Sequence, residues 1–176
     1  MVVRKFCGEK TLFKKLSAEE KAYLAGFLDG DGSIILQIVK DPQSLYGFRP
    51  RISVSFFQKK CRHWFIIWLK KHLGNLGYLR NRKDGISEYT ISGARPVAEL
   101  LILLLPYLRM KKNLAKLALS IIERNQQVQN WDDFLEVCKL IDKAVQHTDS
   151  KKRVITSKLV EESLKSPVET LLEDFF

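Results

Sequence analysis

No run of about 18 consecutive apolar residues occurs in this chain, so no stretch of it is suited to cross a bilayer as a helix. Cysteine is scarce. Cys7, Cys61 and Cys138 are odd in number and far apart, which points to free thiols in a reducing compartment rather than a disulfide framework. The three histidines do not cluster, and Cys61-Arg62-His63 lacks zinc spacing, so the ligands of a structural zinc centre are missing. Met1 to Lys15 is basic but has no apolar core, so it is not expected to act as a secretory signal. Nor is it clearly the Ser- and Arg-rich, acid-poor composition of a transit peptide. Acids are in deficit: 20 Asp and Glu stand against 30 Lys and Arg, a net charge of +10 over 176 residues. That field favours polyanions, nucleic acid first and acidic membranes second. The length is that of one domain with a sizeable core of its own, spanning 1–176.

The stretch around which the rest is arranged is Leu24-Ala25-Gly26-Phe27-Leu28-Asp29-Gly30-Asp31-Gly32. Ser17 with Glu20 three residues later forms a capping box, so a helix is expected to begin near Ala18. Tyr23, Leu24, Phe27 and Leu28 make it apolar, and Gly30 and Gly32 are natural terminators. Gly26 and Gly30 lie four apart on one face, where small residues let a second backbone approach closely. Asp31 runs against the helix field. A carboxylate at a C-terminus costs roughly 0.3–1 kcal/mol against the macrodipole, and a divalent cation is the simplest compensation. The plainer alternative is a helix end packed with glycines.

Two hairpins follow. Ser33 to Asp41 alternates, with Ile34, Leu36 and Ile38 on one side and Ser33, Ile35, Gln37, Val39 and Asp41 on the other. After the turn residues of Pro42–Gly47, Arg49 to Phe57 alternates again: Ile52, Val54 and Phe56 against Arg49, Arg51, Ser53 and Ser55. Lys59 to Leu73 turns helical, with Trp64, Phe65, Ile67, Trp68 and Leu69 as a broad apolar stripe. The second hairpin turns at Lys83-Asp84-Gly85 and sets Tyr78, Arg80 and Arg82 opposite Glu88 and Thr90. The order α-β-β-α-β-β thus uses a helix–hairpin unit twice. Further helices are expected over Pro96–Leu105, Asn113–Arg124, Trp131–Gln146 and Ser157–Lys165, the last broken by Pro167. The tail to Phe176 either docks or frays.

A sheet with one basic, hydrogen-bonding face suits the major groove of B-DNA, where base edges present a distinguishable code. Nine residues of strand span about 30 Å, the length of about nine base pairs. Arg49, Arg51, Arg80 and Arg82 match guanine, Gln37 adenine and Glu88 cytosine, while Ser33, Ser55 and Thr90 are shorter readers. A solvated face with arginines for solubility is the competing reading; arginine outnumbering lysine on the hairpins favours base reading.

The nine-residue stretch resembles the LAGLIDADG motif of homing endonucleases, with Phe27-Leu28 in the variable places and Gly30 where many members carry Ala. The resemblance extends over about Ala18 to Thr156, through Tyr23–Ile34, Gln58–Phe65, Gly77–Arg82, Pro106–Lys111 and Asp149–Lys151. It is nearest to the single-motif, homodimeric members of organellar introns, algal chloroplast ribosomal RNA introns in particular. It implies an α+β fold with an αββαββα core (about 18–156), a four-stranded antiparallel DNA-binding sheet and added C-terminal helices, the last with its tail being 157–176. No second copy of the motif occurs, which within the family implies a C2 dimer joined through Tyr23, Gly26, Phe27 and Gly30.

The resemblance also implies roles. Asp31 is the catalytic metal-binding acid and Gly30 lends its carbonyl; the ion is Mg²⁺, with Mn²⁺ able to substitute. Gln58 positions water, Lys111 stands near the scissile phosphate, and Arg62 belongs to the same network. The plain alternatives are that Gln58 caps the next helix and Lys111 is a solvated loop lysine. Asp29 is expected to cap or brace the helix ends. Lys151 falls at a phosphate contact that Lys152 and Arg153 could assist, although Val154 and Ile155 replace the Lys and Thr of relatives. The implied activity is site-specific cleavage of both DNA strands across the minor groove at a pseudo-palindrome of about 20 base pairs, leaving 3′ extensions. The implied location is organellar, chloroplast before mitochondrion. An RNA maturase acting on intron RNA and a non-cleaving DNA-binding regulator are the other classes. The target sequence does not transfer, because the face residues match no single relative.

Overall fold

The computed structural model describes residues 11–148 and 154–163. Cys7, Lys151, Lys152, Arg153 and the tail beyond Pro167 lie outside the described residues. Contacts divide the chain into two compact units: residues up to Ile35 with Ile52–Ile122, and Leu36–Arg51 with the residues from Glu123 onward.

Helix α1 spans Ala18–Asp31, and both halves of its capping box are formed: Ser17 Oγ accepts from Glu20 N, and Glu20 accepts from Ser17 N. Its end departs from the expected glycine stop. The helix runs through Gly30, and Gly32 is extended rather than left-handed, so β1 (Gly32–Lys40) leaves directly from the last turn. Glycine is required at 32 by close approach. A Cβ there would lie 2.6 Å from a Leu28 methyl carbon and 2.8 Å from the Leu28 Cα. Strand β2 is Phe48–Lys59, β3 Tyr78–Asn81 and β4 Ile86–Ser92, in the sheet order β1-β2-β4-β3. Strand β4 pairs antiparallel with β2 and with β3. A 3-10 turn at Lys60–Arg62 precedes α2 (His63–His72); α3 (Ala94–Leu104), α4 (Lys112–Asn125) and α5 (Trp131–Lys143) follow. Residues 157–163 are helical. The order αββαββα is the one read from the sequence.

In the first unit, Leu24, Ala25 and Leu28 of α1 are buried, as are Ile34, Val54, Phe56, Tyr89, Ile91 and the inner faces of α3 and α4. Phe27 stacks on Phe56 with ring centroids 5.8 Å apart, and Phe56 lies 6.1 Å from Tyr89. Tyr89 donates to Leu76 O at 2.8 Å, and burial pushes its phenol well above the ordinary range. In the second unit, Tyr46 packs against Trp131 and Phe134 at 5.3 and 4.9 Å, above the buried face of α5.

Two expectations are corrected. The buried stripe of α2 is Ile66 and Leu69, continued by Leu73, whereas Trp64 and Trp68 are 67% and 42% exposed. Residues 64–69 are all apolar and wrap more than a full turn of helix, so one core-facing arc cannot bury them all, and residues 64 and 68 lie on the outer side. On β2 the expected polar set is not uniformly open either. Ser53 and Ser55 are buried, as is Thr90 on β4. Both strands are central, Ser55 and Thr90 are direct cross-strand partners, and their hydroxyl oxygens are 2.7 Å apart, so the pair satisfies itself.

Candidate active site

The last turn of α1 carries two acids with opposite fates, and both lie in the first unit. Asp29 points inward and is buried. Its Oδ2 accepts from the backbone N–H groups of Arg109 (2.7 Å) and Met110 (3.1 Å), and its Oδ1 from that of Lys111 (2.9 Å). The carboxylate therefore braces the segment leading into α4, in agreement with the bracing role expected of it. The sequence left open which segment it would hold. Lys111 is not a free loop lysine: its Nζ donates to Asp29 O at 2.6 Å, which places the ammonium against the helix tip.

Asp31 faces solvent. Gln58, at the end of β2, donates from Nε2 to Asp31 Oδ2 at 3.2 Å; Arg62 Nη1 donates to Gln58 Oε1 at 3.2 Å, and Lys59 N to the same oxygen at 3.1 Å. Only one orientation of the amide fits, because a carboxylate accepts and a guanidinium donates. Gln58 does not cap α2, whose N-cap, Arg62, has no side-chain capping bond. Arg62 and Gln58, four residues apart, thus form one relay with the distant Asp31 at the negative end of the helix dipole.

Asp31 is also suited to hold a divalent cation. It is an exposed anion with a single side-chain contact of its own, and it sits beside Gly30, around which a Cβ would meet nothing within 4 Å. No group of three metal-type ligands occurs among the described residues. One chain therefore offers a single carboxylate, a donor set that fits an ion taking few protein ligands and completing its shell with water and phosphate oxygens.

The face of α1 bearing Tyr23, Gly26 and Gly30 is open: Tyr23 is 54% exposed with only the edge of Phe65 at 6.3 Å against its ring, and among the described residues nothing lies within 4 Å of where a Cβ would stand at either glycine. Phe27 differs from its expected neighbours there. It is half-buried, with Phe56 on one side and the edge of Phe65 at 4.9 Å on the other.

The expected base readers are distributed over the two units. In the second, Gln37, Arg49 and Arg51 are exposed, while Val39 and Asp41 are half-buried. Arg51 donates to Gln37, and Arg49 pairs with Asp41 at 2.8 Å. In the first, Tyr78, Arg80 and Arg82 are exposed, while Ser33, Ile35 and Glu88 are half-buried. Arg80 stands opposite Glu88 in the β3–β4 register, and Arg82 pairs with Asp84 at 2.9 Å.

Sequence reading missed one set of contacts next to this site. His63 Nδ1 lies 2.9 Å from the hydroxyl of the buried Ser87, which donates to Asn81 Oδ1 at 2.9 Å. No motif marks these residues, and only the register of the strands brings them together.

Known proteins share this fold. Residues 24–122 match the family model described as LAGLIDADG endonuclease. The chain is 40% identical over 144 residues to the DNA endonuclease I-CvuI of Chlorella vulgaris, covering 82% of this chain and 89% of that one. It is 41% identical over 155 residues to the DNA endonuclease I-CreI of Chlamydomonas reinhardtii, covering 86% and 93%. Among solved structures, I-CvuI in complex with the I-CreI target in the presence of 2 mM Mg superposes with a TM-score of 0.79 at 38% identity, over 84% of this chain and 94% of that one. With a family model matched over more than half of its length and two relatives about 40% identical over most of both chains, the chain belongs to the LAGLIDADG endonuclease family.

Proposed function

We propose that this chain is a site-specific endonuclease that cuts both strands of duplex DNA as a homodimer, with a divalent cation at the tips of two paired α1 helices. The observation that carries the reading is the exposed Asp31 carboxylate, held by Gln58 and Arg62 at the end of a helix whose glycine face is bare. I-CvuI has been solved on DNA targets in the presence of Mg, with the DNA not cleaved, and in the presence of Ca, which supports duplex DNA as the ligand and a divalent cation as the accompanying ion.

Each residue has a distinct task. Asp31 and the Gly30 carbonyl would hold Mg²⁺, or Mn²⁺ in its place, which when bound polarises the phosphate and eases charge on the attacking and leaving oxygens. Gln58, its amide oriented by Arg62, sits where the attacking water needs alignment. Lys111, anchored on Asp29 O, brings a positive charge to the phosphate as negative charge grows there. Hydrolysis adds the water oxygen to phosphorus and breaks one P–O ester bond, the departing oxygen taking up a proton. Two subunits act on opposite strands and leave 3′ extensions.

The basic sheet supplies recognition: exposed Arg49, Arg51, Arg80, Arg82 and Gln37 are the base readers, and Lys151 to Arg153 add phosphate contacts. Ion pairs within the chain hold Arg49 and Arg82 in place, and each must exchange or share its partner on meeting a base. An organellar setting, chloroplast first, accompanies the reading. An exposed acid with its own amide relay has no use in a binding-only regulator or in a maturase that has ceased to cut.

The test is a randomised duplex library incubated with the protein and Mg²⁺, with the cut ends sequenced. A single site of about 20 base pairs with 3′ extensions is expected. On that site Asp31→Asn should bind within about threefold of the parent and cut at least about a thousandfold more slowly. An Asp31→Asn protein that cuts at the parental rate, or a parent that binds RNA and cuts no duplex, sinks the reading.

A further inference from the structure

We propose that His63 is a positioning residue through which cutting is made to depend on how the β3–β4 hairpin is seated on DNA. The inference rests on the endonuclease reading above.

Ser87 has a single hydroxyl proton, and it is donated to Asn81 Oδ1 at 2.9 Å. With Asn81 Oδ1 facing Ser87, the 2.9 Å contact between His63 Nδ1 and the same hydroxyl has the ring as donor through Nδ1–H. Ser87 is wholly buried, so in the native fold its hydroxyl is out of reach of water and depends on these two side chains. Asn81 and Ser87 are cross-strand partners on β3 and β4, and Ser87 is also the β2–β4 partner of Gln58. One row across three strands thus holds Gln58, Ser87 and Asn81, and His63 is bonded to its middle member.

A second strap runs parallel to this one. Lys60 N donates to Gly85 O at 2.7 Å, so the 3-10 turn of Lys60–Arg62 is tied to the hairpin at its tip as well as through His63. That turn carries Arg62, which orients Gln58 against Asp31. On the hairpin, Asn81 lies between Arg80 and Arg82, and Glu88 follows Ser87. Successive strand residues alternate faces, so a reader seated wrongly on a base displaces the backbone that Asn81 and Ser87 share with it. Through His63 and Lys60 the displacement reaches Arg62 and then the amide that aligns water. Binding survives a small misplacement; the reaction geometry does not.

The experiment measures dissociation constants and single-turnover cutting rates at saturating protein, on the site selected from the library and on single-base variants under the hairpin. His63→Phe keeps the ring volume and removes the donor. It should bind within about threefold, cut about tenfold more slowly, and lose most of the rate discrimination between the selected site and its variants. His63→Asn, whose amide reaches the Nδ1 position, should restore both rate and discrimination, whereas His63→Gln should not. Asn81→Ala, at an exposed position, tests the far end of the chain without touching the core, and combined with His63→Phe should cost no more than either alone. A His63→Phe protein with parental rate and discrimination overturns the inference. So does an equal loss of binding and cutting that His63→Asn fails to repair, since that is the mark of a merely structural residue. Failure of the parental protein to cut any duplex strikes instead at the endonuclease reading and removes the inference with it.

Discussion

Asp29 and Asp31 stand two residues apart on the same helix end, yet one is enclosed and the other open. Asp29 is buried and receives three backbone N–H groups from 109–111, while Asp31 is exposed and receives one side-chain amide. Both feel the negative end of the helix dipole. For Asp29 the cost is met inside the fold, by three backbone N–H groups converging on its carboxylate. For Asp31 it is met only by Gln58 and whatever cation arrives. A residue whose charge is fully answered internally holds structure together, and one left partly unanswered is available for chemistry.

The contrast can be broken by substitution, and the largest effect is expected on catalysis. Asp31→Asn abolishes cutting while melting at or slightly above the parental temperature, because removing the charge relieves roughly 0.3–1 kcal/mol of dipole repulsion. A melting point several degrees lower would show that Asp31 is structural after all. Asp29→Ala is the converse. Three N–H groups lose their acceptor, a cost of about 4 kcal/mol, and the melting temperature of a chain this size should fall by roughly 8–16 °C. If it melts with the parent, the brace is not one. Cutting is impaired too, since the 109–111 segment that carries Lys111 loses its brace while the Asp29 carbonyl beneath Lys111 Nζ remains.

The glycines of the same helix extend the comparison at smaller scale. Gly32→Ala forces a methyl against Leu28 and should cost about 1–3 kcal/mol in thermal or denaturant unfolding. Gly26→Ala meets open space within the subunit and should raise subunit stability by about 0.5–1 kcal/mol. In the proposed dimer it stands between two helices, so sedimentation should show weakened self-association. A dimer that tolerates Ala at 26 without loss contradicts packing through that face.

The smallest effects concern the thiols. Cys61 is exposed and Cys138 buried, and neither is in a disulfide. Burial, with the Asp142 charge second, pushes the Cys138 thiol up to about 12. Unfolded, it would ionise near ~8.5. A thiol raised in this way leaves stability intact below the unfolded value, and stability declines as pH rises from there toward 12. Alkylation of the native protein, mapped by peptide mass, should modify Cys61 and spare Cys138 until the chain unfolds.

The helix order and the start of α1 were legible because they are local. Ser17 and Glu20 cap a helix wherever it packs, and Asp84-Gly85 turns a hairpin before any partner is chosen. Asp31 stood out against the helix field, the resemblance added Gln58, Arg62 and Lys111, and Asp31, Gln58 and Arg62 form one hydrogen-bonded relay. Local periodicity failed where neighbours decide exposure. Ser53, Ser55 and Thr90 alternate as a polar face but are covered because both strands are central. Trp64 and Trp68 look like core, but they belong to an apolar run that wraps the whole helix, and only the arc of Ile66 and Leu69 is buried.

What the sequence by itself determined is the set of elements, the acid at the helix tip and the family, since capping, alternation and motif spacing act over a few residues. Only the tertiary structure decided which acid is enclosed, which segment Asp29 braces, and that His63 meets the hairpin through Ser87. Those contacts join residues up to 82 positions apart. They depend on strand register and on burial, which are properties of the packed chain and of no stretch within it.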